Sequence, residues 1–239
     1  MASVCVCTDY FTVDDDGQLC LIPGRQGLRE TLIFDNPGTF QFQKADYPWL
    51  ARVMVRVQGA GGGSAGANAA AGECIVRPGG TGGGYSESLV EAASLGAMET
   101  IVVGAGGDPG DPNDAGGAGG NSSFGGFATA PGGSGGTASQ TSGTVLDATS
   151  GISGPLAGIG DLNLGGGASD GAIRLNATNG LSGKGGDSHL GTGGFPRATE
   201  GAGTAPRGVG GGAGGALSYG GSFSGGTGGI GLVIVELYG

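Results

Sequence analysis

Apolar and polar residues alternate with a period of two in short blocks that lie mostly in the first hundred residues and at the C-terminus. In "ARVMVRV" (51–57), Val53, Val55 and Val57 fall on one side of an extended chain and Met54 and Arg56 on the other, the pattern of a strand with one face in a core. "TLIF" (31–34) and "TFQF" (39–42) flank the turn sequence "DNPG" (35–38). With "SESLVEA" (86–92), "ETIVV" (99–103) and "GLVIVEL" (231–237), these runs supply five or six strands, enough for a β-sheet or a small sandwich. The first and last strands of this set are expected to pair, because an open Val-Ile-Val edge invites aggregation. Upstream, "DYFTV" and "QLCLIP" lie on either side of "DDDG" (14–17), whose Asp-Gly pair predicts a hairpin turn. A two-stranded hairpin is not stable alone, so residues 1–30 read as an attachment or oligomerisation segment.

Between residues 104 and 230 neither the strand nor the helix period holds. Glycine takes over: 62 of the 239 residues are glycine, against roughly 7% in average proteins. Glycine adds no side-chain area to a core and loses the most backbone freedom on folding, so only dense backbone hydrogen bonding could offset its cost. The pattern G-G-x-G-G occurs at 79–83, 116–120, 132–136, 211–215 and 225–229, with Thr81, Ala118, Ser134, Ala213 or Thr227 in the middle. A small residue recurring against glycine pairs fits a left-handed extended helix of three residues per turn, and packing such helices side by side gives polyglycine II. Collagen is excluded, since it needs glycine strictly at every third position and far more than ten prolines. A disordered glycine-rich linker is the competing reading. Against it stand Phe124, Phe127, Phe195, Tyr219 and Phe223, aromatics beside glycine doublets that could pin helices together. The expected fold class is mainly β, with little or no α-helix: an N-terminal hairpin (1–30), a β base (31–103 and 231–239) and a polyglycine II bundle with loops (104–230).

One glycine cluster invites a different interpretation. Gly61, Gly63 and Gly66 satisfy G-x-G-x-x-G directly after a strand, the start of a dinucleotide-binding turn. That site needs an amphipathic helix next, and "ANAAAGECIVRPGG" (67–80) offers no apolar face at i, i+3, i+4. A chain this rich in glycine also meets the spacing by chance, so the glycine reads as architecture and no cofactor is expected. A net charge of −10 with a single histidine, His189, argues against nucleic acid as a partner. No apolar run approaches the roughly 20 residues of a membrane span, so no membrane insertion is expected, and "MASVCVCTDYF" lacks the basic start of a secretory signal.

Chemistry-bearing residues are few. Cys5, Cys7, Cys20 and Cys74 show no C-x-x-C spacing and read as reduced, packed thiols. Aligning "DDDG" with a calcium loop would put Thr12 at the first ligand and Pro23 at the bidentate glutamate, so the segment is a turn and no metal is expected. Asp108, Asp111 and Asp114 in "DPGDPND" could supply the paired carboxylates of a glycoside hydrolase, but their proline spacing favours turns. His189 has no recognisable Ser or Cys partner, and the chain is not expected to be an enzyme.

The ordered series "VMVRVQGAGGGSAG", "GGTGGGYSESLV", "IVVGAGG", "GGAGGNSSFGG" and "GGTGGIGLVIVEL" resembles the glycine-rich domain of bacteriophage tail-fibre and minor tail proteins. "DYFTVDDDGQLCLIPG" is similar to the N-terminal segment of minor tail proteins from phages of actinobacteria. The resemblance covers nearly the whole chain. It implies an adhesin on the virion tail, made in the host cytoplasm, in which a β base supports a polyglycine bundle whose loops contact the host. The implied partners are other tail proteins and a bacterial surface receptor, a glycan or cell-wall polymer; tail fibres are commonly three-fold, so the N-terminal segment could form a homotrimer. Three segments depart from the glycine pattern, 108–114, 137–164 and 187–207, and are the candidate recognition loops. The candidate receptor-binding residues are Asp108, Asp111, Asp114, Asp187, His189, Phe195, Arg197 and Arg207, aromatic and Arg side chains being common binding anchors. Two alternatives stay open. The apolar residues from Val145 to Ile159 could instead dock their loop onto the bundle, and the chain could be a structural tail or capsid decoration protein that binds no receptor.

Overall fold

The computed structural model describes residues 10–13, 15–22 and 27–239; Cys5, Cys7, Asp14 and Pro23 lie outside the described residues. The structure is mainly β. Among the described residues the helical segments are two single 3-10 turns, Lys44–Asp46 and Ala92–Ser94. The expected N-terminal hairpin is present: Phe11–Val13 pairs antiparallel with Leu19–Leu21, and Gly17 in the turn has φ of 78°, a conformation that favours glycine.

Two antiparallel sheets form the base. The larger has the spatial order Leu162–Leu164, Tyr85–Glu91, Arg52–Gln58, Leu232–Tyr238, Leu28–Phe34, and the smaller has Ala128–Ala130, Ser122–Phe124, Met98–Val103, Gly38–Gln43. The C-terminal strand is therefore no edge: it pairs with Leu28–Phe34 on one side and with Arg52–Gln58 on the other. The period-two pattern explains the core. Val53, Val55 and Val57 join Val233, Val235 and Leu237 on the inner face and meet Phe42, Ile101, Val103 and Phe124. Each fully buried aliphatic or aromatic side chain contributes about 1.5–3 kcal/mol. On the outer face Arg56 donates to Glu236 at 2.7 Å, with Glu87 at 3.9 Å on the opposite neighbour.

The strands do not stop at the end of this sandwich but run on as glycine-rich segments. Arg52–Gln58 continues into 59–66, Met98–Val103 into 104–110, and Ala128–Ala130 into 131–136; 79–84, 114–121 and 225–231 lead back into Tyr85–Glu91, Ser122–Phe124 and Leu232–Tyr238. Sandwich and glycine segments thus alternate along the chain, and the boundaries expected at 103 and 231 are crossed several times. No helix follows Gly66; the G-x-G-x-x-G stretch is the buried axis of the bundle, with every residue from 57 to 67 buried.

Hydrogen bonds around that axis repeat every three residues. Gly59 and Gly62 donate to Gly84 and Thr81; Ala60, Gly63 and Gly66 donate to Gly120, Gly117 and Asp114; Gly61 and Ser64 donate to Gly229 and Gly226, all at 2.8–3.1 Å. Its carbonyls accept from three further segments: Ala60 and Gly63 from Gly133 and Gly136, Gly61 and Ser64 from Gly107 and Gly110, and Gly62 from Ala213. Segment 59–66 is thus ringed by six others. Arg77, Gly80 and Gly83 likewise donate to Ala216, Ala213 and Gly210. Spacing is set by backbone contact: a Cβ on Gly59, Gly61, Gly62, Gly63 or Gly66 would fall on a carbonyl of a neighbouring segment. Non-glycine residues fill the remaining edge. Thr81 and Ala213 are buried in inner segments, whereas Ala118, Ser134 and Thr227 face solvent from outer ones.

Two expectations about side chains change. Phe124 and Phe127 do not pin glycine segments; Phe124 is fully buried in the sandwich core with Phe127 packed against it, because "SSFGGF" forms a tight hairpin between two sandwich strands. Residues 150–159 run along the flank of the bundle, bonded through Ile152 to Ser169, Pro155 to Gly166 and Ile159 to Thr129. Leu156 and Ile159 point outward, at 87% and 60% exposure, and do not serve as a dock, while Ile152 is half-buried.

Candidate functional site

The direction of each segment divides the connecting loops between two ends. Far from the sandwich lie the turns around 67–76, 111–113, 137–150, 171–181, 198–202 and 217–224; the turns at 188–192 and 206–209 return to the sandwich side. The far end has its own small sheets: Asp147–Thr149, Ala172–Asn176 and Asn179–Leu181 form one, and Ile75–Val76 pairs with Leu217–Ser218. Cys74, Val76, Ala172 and Leu217 are buried beneath them, so this tip is a packed cap.

At the tip Asn68, Ile75, Arg77, Asn113, Ala138, Gln140, Thr141 and Ser142 line a pocket of about 250 Å³. Arg77 forms its floor and is only 1% exposed. Its Nε donates to Gly66 O, Nη1 to Gln140 O and Nη2 to Asn113 Oδ1, each at 2.8 Å. All three acceptors are neutral, and among the described residues no carboxylate pairs with it. Burial pulls the guanidinium down to about 10, which leaves it cationic at neutral pH. A guanidinium has five N–H donors, so two remain beyond these three bonds.

Gln140, 5% exposed, accepts from Val76 N at 2.8 Å through Oε1. That bond fixes the amide orientation, and Nε2 is buried with no hydrogen-bond partner. Asn113 closes the wall: Nδ2 donates to Asn68 O and Oδ1 accepts from Asn68 N, both at 2.9 Å. Its φ of 69° is a left-handed conformation that Asn tolerates better than most residues. A second buried arginine braces the loop above. Arg174 donates to Thr141 O, Val145 O and Cys74 O, and meets Asp147 at 3.3 Å.

The sequence profile of a family described as glycine-rich domain matches residues 36–238. The chain belongs to the glycine-rich domain family. No curated protein matches it. The family span takes in nearly all of the sandwich, every glycine segment and the whole tip, while the N-terminal hairpin precedes it.

Within this glycine-rich domain the candidate residues separate. Asp108, Asp111 and Asp114 sit where the 104–110 segment turns into 114–120, and all three are exposed. Arg197 is also at the tip, where its Nε braces its own loop through Ala202 O at 2.5 Å. Phe195 stands on the flank, 56% exposed. Asp187, His189 and Arg207 lie at the opposite end. The His189 ring rests on sandwich residue Tyr85 at 4.3 Å, and Arg207 pairs in a two-residue ladder with Thr192. Asp187 accepts from Lys184 at 2.6 Å and from Gly193 N at 2.7 Å. Burial alone would raise its carboxyl, but these bonds and the Lys184 charge together hold it below the ordinary value. Sequence reasoning passed over Arg77, Gln140, Asn68 and Asn113. The available signal was an arginine between an apolar pair and "PGG" at the start of a glycine segment, a position from which a long side chain must enter the bundle.

A second pocket, about 260 Å³, lies beside the sandwich between Ser88, Glu91, Ser94, Phe127 and Asp161. Two of its polar groups are engaged, Ser88 Oγ donating to Phe127 O and Asp161 accepting from Leu89 N at 2.9 Å, and among the described residues no buried cation lines it. The tip pocket combines an unneutralised charge with an unused donor.

Proposed function

We propose that this glycine-rich domain is a bacteriophage minor tail or tail-fibre protein that binds the host surface through the far end of its bundle, without catalysis. In this reading the segments are polyglycine II helices, which the three-residue repeat of hydrogen bonds around 59–66 supports. The observation that carries the proposal is the concentration of six loops, with their own small core and polar pocket, at one end of a backbone-bonded bundle. Such a support leaves little entropy to lose on contact, and copies on one particle add their weak contacts by avidity. Other tail proteins are the partners at the opposite end. Tyr10, Val13, Leu19 and Leu21 leave the hairpin strongly apolar on its surface, which suits attachment or trimerisation there.

The experiment is to stain a panel of actinobacterial cells with fluorescently labelled protein and to compare two variants. Thr141→Trp combined with Thr199→Trp enlarges the tip, and Arg207→Trp enlarges the sandwich end. Cell binding is expected to fall with the tip variant and to persist with Arg207→Trp. Particles that bind and infect normally with the enlarged tip would instead favour the decoration-protein reading.

A further inference from the structure

From the tip pocket we infer a specific ligand class: an anionic group, carboxylate or phosphate, carried on a hydroxyl-rich saccharide or polyol unit. A buried cation without a counter-ion is costly, and the three neutral acceptors around Arg77 leave its charge uncompensated directly beneath an open pocket. Gln140 Nε2 adds a donor without an acceptor in the same wall. Donors in excess over acceptors, one of them on a cation, describe a receiver for oxyanions. Asn68, Asn113, Thr141 and Ser142 at the wall and rim supply amides and hydroxyls suited to sugar hydroxyls, and the half-buried Ala138 gives a small apolar contact. The volume lies just below the roughly 300–1,000 Å³ usual for small-molecule sites, which fits one terminal unit of a polymer. A uronic acid and a glycerol phosphate unit share this chemistry.

The inference rests on the adhesin reading for its biological setting, yet the two fail separately. The probes are D-glucuronate, sn-glycerol 3-phosphate and, as the neutral control, D-glucose, titrated into isotope-labelled full-length protein while the Arg77 Nε and Gln140 side-chain amide resonances are followed. Saturable shifts with either anion and none with glucose are expected, and the tighter anion names the source.

Gln140→Glu keeps an oxygen for Val76 N while replacing the free donor with negative charge; binding should weaken about tenfold or more. Ala138→Leu fills the pocket without touching the Arg77 bonds and should block binding equally, so a folding defect in one variant does not spare the inference. Absent anion shifts, glucose binding as well as the anions, or full affinity in both variants would overturn it. Cells stained equally by wild type and both variants would leave the adhesin reading intact and remove the pocket from it. Anion binding with no staining of any cell would do the reverse.

Discussion

Gly62→Ala and Gly126→Ala are the same substitution with opposite expected signs. At Gly62 an added Cβ would sit on the Ser134 carbonyl, 2.5 Å from its carbon and 3.0 Å from Gly135 N. Relief requires segments 59–66 and 131–136 to part, which breaks the bonds from Gly133 N to Ala60 O and from Gly136 N to Gly63 O, both 2.8 Å. The separated groups are buried, and each loss costs about 1–3 kcal/mol. Two of them outweigh the gain of about 0.4–1 kcal/mol from a less flexible unfolded chain, leaving a net loss of about 1–5 kcal/mol. That is a large share of the 5–15 kcal/mol typical of a domain. Gly126 has nothing within 4 Å of an added Cβ, so there the unfolded-state effect acts alone and stability should rise by about 0.4–1 kcal/mol. Denaturant unfolding reads both through the midpoint at constant slope, with exposed Thr227→Ala as a neutral reference. A Gly62→Ala protein that unfolds at the wild-type midpoint would refute the claim that backbone packing around 59–66 holds the bundle together.

Phe124→Ala empties a fully buried site between Phe42 and Phe127 and should cost about 3–5 kcal/mol; a loss below 1 kcal/mol in the same unfolding assay would contradict the sandwich core. The depressed Asp187 carboxyl contributes stability that is present above its unfolded pKa and fades as pH falls through its lower folded value. The Gly193 amide resonance should therefore titrate below the ordinary aspartate range, and Lys184→Ala should move that midpoint upward; an unmoved midpoint would deny the Lys184 pairing. Burial pushes the Cys74 thiol up, with Arg174 opposing. Peptide-resolved mass spectrometry should find Cys74 protected from iodoacetamide until denaturant is added, and labelling in the native protein at the unfolded rate would contradict its place in the cap.

How legible each region was depends on what its side chains record. Val53, Val55 and Val57 announce a face because alternate residues of a strand must choose sides, and the pairing of the C-terminal strand with Leu28–Phe34 followed from edge protection. The glycine segments announce only that neighbours come close, since glycine carries no mark of which backbone it touches. Locating a loop then depends on counting every pass of the chain, because each pass reverses direction. The 150–159 pass carries Leu156 and Ile159 in place of glycine doublets, and 193–206 contains a return between Arg197 and Thr204. With those hidden, Asp111 and His189 looked equivalent although they lie at opposite ends. Phe124 misled for a related reason: the glycines beside it turn a hairpin, with Gly125 at φ of 49°, and are not part of the bundle.

Since neighbouring backbones hold each glycine segment at both its start and its finish, the span that joins two segments inherits a fixed pair of anchor points. Lengthening such a span costs little beyond loop-closure entropy, about 0.6 kcal/mol for each doubling. A lineage can therefore rewrite the outermost connections by insertion, deletion or recombination while the shaft beneath stays in register. The same glycine that tolerates almost no replacement inside the stack gives the chain an interchangeable head.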